Sequence, residues 1–167
     1  MSLIGILGRG FQPTLTPPLP PIPPVVDPLL LQVAEAVTYE INLGTYSQSV
    51  TAVRYYQPRF DLKEMDALHV SVVPRSISEK QLSRALVAYD CGIDVGVQQR
   101  SPMDQATLDS LTRLVAELAA RLRSSTLTAL PEARLMELNN EPVFAPDHLD
   151  QLRQFTSVLS VTYRVWR

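Results

Sequence analysis

Residues that carry chemistry are scarce in this chain. Its 167 residues include one cysteine and two histidines. A lone thiol, Cys91, excludes a disulfide framework within the chain, which suits a reducing compartment. His69 and His148 stand in no HxH, HExxH or Cys/His spacing, so no zinc site is expected. Charge is sparse as well, at 19% of residues, and the formal net charge of −2 gives the whole chain no electrostatic reason to bind nucleic acid. No stretch approaches the ~18 consecutive apolar residues that a membrane-spanning helix requires. Leu3, Ile4, Ile6 and Leu7 are apolar, but Gly5 and Gly8 interrupt them, and neither a basic n-region nor a small-residue cleavage pattern flanks them. They do not read as a signal peptide. The GxSxG, Walker A and GxGxxG patterns are missing, and Gly8-Arg9-Gly10 is too short to cradle a phosphate. The expectation is therefore a protein without catalytic residues, cofactor or metal.

What the chain does have is apolar surface, 46% of its residues. At this length one domain can bury roughly two thirds of its unfolded surface, enough to fold without staples. Prolines are concentrated at one end: Pro13, Pro17, Pro18, Pro20, Pro21, Pro23, Pro24 and Pro28 are eight of the fourteen. Such a run excludes helix and a central strand, and predicts extended polyproline II at ~3.1 Å per residue. The residues between are apolar, unlike a solvated Gly/Ser linker. Two readings of residues 1–27 follow: a stiff tail, or an arm that lies on a neighbouring subunit. The second would use Leu3, Ile4, Ile6, Leu7, Phe11, Leu15, Leu19 and Ile22 as its interface.

Residues 28–167 predict an α+β domain. Asp27 as N-cap and Pro28 at the first helical position open a helix, with Leu30, Val33, Ala34, Val37 and Ile41 at helical spacing as far as about Leu43. Strands are expected at 49–57, at 67–73 before Pro74, and at 86–99. The last has the clearest alternation: Val87, Tyr89, Cys91, Ile93, Val95 and Val97 on one face, and Ala88, Asp90, Gly92, Asp94, Gly96 and Gln98 on the other. A second helix is expected from a capping box, with Ser101 as N-cap, Pro102 at N1 and Asp104 at N3. Its stripe is Leu108, Leu111, Val115, Leu118 and Leu122, and Arg121 and Arg123 favour its C-terminal end. Strands at 133–139 and 155–166 close the domain, with a loop holding Asp147-His148 between them. Two amphipathic helices on one face of a mainly antiparallel sheet is the simplest packing.

Few candidate functional residues emerge. Asp90 and Asp94 share the polar face of the longest strand, and at ~3.3 Å per residue their Cα atoms stand roughly 13 Å apart, too far to share a proton. They form either a solvated face or the lining of a channel. Arg54, Arg59, Arg75 and Arg84 surround the first three strands and are either solvated or at an interface. Cys91, on the core face, reads as a small hydrophobe.

The order of elements, with two strands inside AVRYYQPRFDLKEMDALHVSVVPRS, the strand YDCGIDVGVQQR and the closing EPVFAPDHLDQLRQFTSVLSVTYRVWR, resembles the small neck or tail-completion proteins of tailed bacteriophages and prophages. The tail-terminator type is the nearest. The resemblance spans residues 28–167 and rests on topology more than on diagnostic residues; the proline-rich arm departs from it. It implies a virion structural protein at the head–tail junction, assembled in the bacterial cytoplasm. Such a protein forms a ring, usually hexameric, that caps the tail tube and docks it to the head connector. A tail sheath is a further neighbour it implies. DNA would pass through the ring without specific binding, and no membrane is involved. Channel linings in the family are often acidic, which would give Asp90 and Asp94 their place. The readings it competes with are a head-completion or connector protein of the same neck, a non-viral adaptor whose arm binds a partner, and a small enzyme with an unfamiliar site.

Overall fold

The computed structural model describes residues 27–57, 64–100, 104–141 and 143–167. Helix α1 spans Leu29–Asn42, one residue later than the sequence predicts, with Pro28 rather than Asp27 as N-cap. Pro28 is extended (φ −52°, ψ 141°), and its carbonyl accepts from the N–H groups of Leu31 and Gln32, starting the first turn without a side-chain cap. Strand β1 is Ala52–Arg54, far shorter than the 49–57 expected. It is held at one end by Asn42, whose side chain accepts from Ala52 N–H (2.8 Å) and donates to Ala52 C=O (3.0 Å). A 3-10 turn at Glu64–Asp66 leads into β2 (His69–Ser83), which pairs with β3 (Leu86–Arg100). Helix α2 is Gln105–Ser124, β4 is Arg134–Asn139, a short α3 is Pro146–Leu152, and β5 is Gln154–Trp166.

The sheet has five strands in the order β1-β2-β3-β5-β4, and all neighbours are antiparallel except β1 with β2. The α+β class expected from the sequence is the one observed. Helices α1 and α2 cover one face. There the Val33, Val37 and Ile41 side of α1 and the Leu111, Leu114, Leu118 and Leu122 side of α2 meet Cys91, Ile93, Val95 and Val97 of β3. Phe155, Leu159, Val161 and Tyr163 of β5 complete that core. Leu108 is only partly buried, and Leu114 takes the core place beside Leu111.

Three expectations are corrected. The second helix begins at Gln105, not at Pro102, because Asp104 is the N-cap: its carboxylate accepts from Thr107 N–H at 2.9 Å and from the Thr107 hydroxyl. Ser101, Pro102 and Met103 lie outside the described residues. Strand β2 does not stop at Val73 but passes through Pro74 to Ser83. Proline is tolerated there because, among the described residues, β1 pairs only as far as Val72, so the missing N–H falls on an open edge. The ladder also shifts between Pro74 and Ser76, leaving Arg75 as a bulge. The loop around His148 contains α3, started by Pro146 and closed by Arg153 in the left-handed conformation at φ 50°.

Leu111 is 1% exposed at the centre of the α2 stripe. Leu111→Ala is expected to cost ~2–5 kcal/mol in denaturant melts, the range for a buried leucine truncated in a close-packed core. A loss below ~1 kcal/mol would contradict the packing described.

Candidate functional site

Strand alternation that buries one face of a sheet leaves the other to be satisfied by polar pairing. Helices α1 and α2 both lie on the core side, and the opposite face of β2, β3 and β5 carries Asp90, Asp94, Ser160 and Arg164. Register explains how they meet. Asp90 stands directly opposite Arg164, and Asp94 directly opposite Ser160. Arg164 donates twice to Asp90, from Nε at 2.6 Å and Nη2 at 2.8 Å, a fork that matches a carboxylate. Those hydrogen bonds from Arg164, against the opposing effect of burial and with the added charges of Arg164 and Lys80, hold the Asp90 carboxyl below its ordinary value. The Ser160 hydroxyl donates to Asp94 at 2.8 Å, and Arg75 reaches the same carboxylate from β2 at 3.5 Å.

Gly92, between the two aspartates, makes room for that reach. A Cβ there would lie 2.6 Å from Ser76 Oγ and 3.1 Å from Arg75 Nη2, so a side chain would displace the Ser76 hydroxyl and crowd the Arg75 guanidinium. Beside Asp94 the face dips into a depression lined by Ser71, Gly96, Gln98, Thr156 and Val158. Gln98 Oε1 is buried there and has no hydrogen-bond partner among the described residues. His148, on α3, faces Thr156 Oγ1 at 3.2 Å at one border of this surface.

Both predicted aspartates thus lie on the open face, as alternation requires. Neither is a bare acid: each is matched by an arginine, and the surface presents paired charges rather than a negative wall. This local balance was not legible in the sequence, because alternation puts Arg164 on that face without revealing which residue stands opposite. Cys91 is buried in the core, where burial pushes its thiol up to about 11, out of reach of nucleophilic chemistry near neutrality. Arg54 pairs with Glu35, and Arg75 with Asp94, whereas Arg59 lies outside the described residues. So do the eight predicted arm residues, Leu3 to Ile22. Among the described residues no three His, Cys, Asp or Glu side chains are grouped to hold a metal ion, and no helix is long and apolar enough to cross a membrane.

A second polar cluster sits on the core side. Glu40 of α1 is 1% exposed, yet it accepts from Arg121 Nη2 of α2 at 2.5 Å. Its second oxygen accepts from the backbone N–H (3.0 Å) and hydroxyl (2.9 Å) of Thr128. Burial acts to raise its pKa. The Thr128 hydrogen bonds, the Arg121 charge and Ser125 outweigh that and leave the carboxyl below its ordinary value. Tyr163 of β5 is buried nearby; its hydroxyl has no hydrogen-bond partner among the described residues, and burial, then the Glu40 charge, push its pKa upward. A signal for this cluster was present in the sequence: Glu40 falls three residues after Val37 and one before Ile41, on the core side of α1.

Scans against protein-family models and curated protein sequences return no match to this chain.

Arg121→Ala strands the Glu40 carboxylate in the core. Because Arg121 is 35% exposed, the expected loss at neutral pH is about 2–4 kcal/mol, below the ~3–5 of a fully buried pair. The sign with pH follows from the lowered Glu40 pKa. Its stabilisation is complete above the unfolded value of about 4.3 and is lost as pH falls through the folded value. Losing the Arg121 charge raises the folded pKa in the variant, so its deficit should be smaller in urea melts at acidic pH, below the wild type's folded value, than at neutral pH. An equal deficit at the two pH values would contradict this account.

Proposed function

We propose that this chain is a structural protein of a tailed-phage virion, forming a ring at the head–tail junction that caps the tail tube and docks it to the head connector. The observation that carries this reading is the one-sided sheet: α1 and α2 cover one face, while the opposite face of the long strands β2, β3 and β5 is left polar. A ring subunit needs one face for its own core and another for a shared surface. This architecture supplies both in the element order on which the family resemblance rests. Supporting it is the far end of β2, where residues 75–83 are all exposed and carry Ile77 and Leu82, apolar surface suited to a neighbour. The hairpin tip adds Leu86.

In this reading the open face borders the channel, and its pairing changes what it offers to DNA. Asp90 and Asp94 are offset by Arg164 and Arg75, so phosphates meet a charge-balanced surface that neither holds nor strongly repels them.

The test is the native mass of the purified chain, with negative-stain images of the same sample. Closed rings with a central hole, adding to tail tubes of the cognate phage at one end only, are the expected result. A chain that stays monomeric at tens-of-micromolar concentration and binds no tube end would overturn the proposal.

A further inference from the structure

Exposed aromatic rings on an otherwise well-packed domain are informative when they cluster. Tyr39, on the outer face of α1, is 50% exposed, and Tyr56, just after β1, is 68% exposed. One ion pair joins their surroundings. Glu35, one helical turn before Tyr39, binds Arg54, and the Arg54 guanidinium lies 5.3 Å from the centre of the Tyr56 ring. Leu43, 49% exposed, extends the same side of α1 by a further turn. Beside Tyr39 runs a depression whose lining includes Asp27, Gln32, Glu35 and Tyr39 together with Ala129 and Leu130; Tyr56 lies beyond it, across the Glu35–Arg54 pair. Glu35 and Arg54 satisfy each other, and Arg54 also bonds the Tyr56 side chain, so what the strip offers an incoming ligand is the Tyr39 ring with its hydroxyl and the face of Tyr56 turned away from Arg54.

The chain itself contains a segment of matching chemistry. Residues 12–26 hold seven prolines together with Leu15, Leu19, Ile22, Val25 and Val26, and no Asp, Glu, Lys or Arg. Proline-rich segments dock on aromatic-lined grooves because pyrrolidine rings stack on aromatic faces while the backbone carbonyls, unpaired in polyproline II, accept from side-chain donors. At ~3.1 Å per residue these fifteen residues could reach about 45 Å, and α1 at ~1.5 Å per residue is only about 21 Å long.

We propose that the Tyr39–Tyr56 strip is the docking site for residues 12–26 of a second copy of this chain. The direction of the chain decides between copies. Pro28 is in the extended conformation as it leads into α1, and Asp27, preceding a proline, is biased to the same region. Laying the segment back along its own α1 would require a reversal within Pro23-Pro24-Val25-Val26, which contains no glycine or asparagine and whose residues favour extended backbone. The segment therefore leads away from its own strip and meets the equivalent strip of a neighbour. This interface deepens the ring reading and rests on it.

The test uses full-length chains, one carrying Leu19→Cys and a tagged one carrying Ala129→Cys, mixed and oxidised mildly. Ala129 is exposed on the wall of the depression, and native Cys91, buried in the core, stays out of the exchange. The expected result is a disulfide-linked heterodimer on a non-reducing gel. It should be lost when the Ala129→Cys chain also carries Tyr39→Ser and Tyr56→Ser, with circular dichroism unchanged because both side chains are exposed. A linked species that persists without the tyrosines overturns the docking site. So does a link found only within one molecule when both cysteines are placed in the same chain. The native mass of the unoxidised protein separates this proposal from the one before it. Rings that form without any link to the arm would overturn the docking strip alone; a monomer with links inside one chain would overturn both.

Discussion

The buried Glu40 carboxylate constrains the arrangement on which the rest of the structure depends. Removing a charge from water costs several kcal/mol unless its hydrogen-bonding capacity is met. Here it is met by two partners more than eighty positions away in sequence, Arg121 on α2 and Thr128 in the segment that follows. Both can be satisfied only if α1 and α2 lie side by side at one rotation about their axes. That rotation points the apolar stripes of both helices at the same side of the sheet. Hydrophobic burial, being non-directional, would tolerate several relative placements; the ion pair with its Thr128 contacts discriminates among them.

With both long helices on one side, the other side has to be stable without a second hydrophobic layer. It manages this by cross-strand matching. Asp90 with Arg164 and Asp94 with Ser160 are register partners, so each carboxylate desolvated by the sheet finds its donor on the next strand. The same matching pins the register of β3 against β5, since a one-residue slip of β5 would carry Ser160 and Arg164 to the apolar side and leave both aspartates unmatched. The two polar clusters thus divide the work: one sets where the helices sit, and the other sets how the long strands align.

How much of this could be read in advance depended on the range of the interaction. The alternation in β3 and the leucine stripe of α2 are local patterns, and both elements sit where those patterns put them. Strand β2 was cut short at Pro74 because proline ordinarily ends a strand; only the topology, which leaves that stretch without a neighbour on one side among the described residues, explains its continuation. The hairpin after it gave no warning either. Its turn at Arg84-Ala85 lacks the Asn-Gly or Gly pattern usual in two-residue loops, and no residue there has positive φ. For α2 the cap falls at Asp104, three residues after the Ser101 expected, because Thr107 offers both an N–H and a hydroxyl to the Asp104 carboxylate. The pairing of Asp90 with Arg164, and the burial of Glu40 against Arg121, join positions 74 and 81 apart, and no single-sequence periodicity encodes such distances.

The outer border of β2 has a consequence for how the protein survives at high concentration. From Pro74 to Ser83 its backbone has no strand on that side among the described residues, and long bare borders of this kind are where unrelated copies zip together into cross-β aggregates. This one is broken up at short intervals. Pro74 withholds a donor, the bulge at Arg75 throws the next residues out of step, and Glu79 and Lys80 place opposite charges midway along it. No window of six residues in that stretch is at once flat, uncharged and proline-free. Proline, bulge and charge together thus break this border in the way that gatekeeper residues break aggregation-prone strands, with Glu79 falling in every such window.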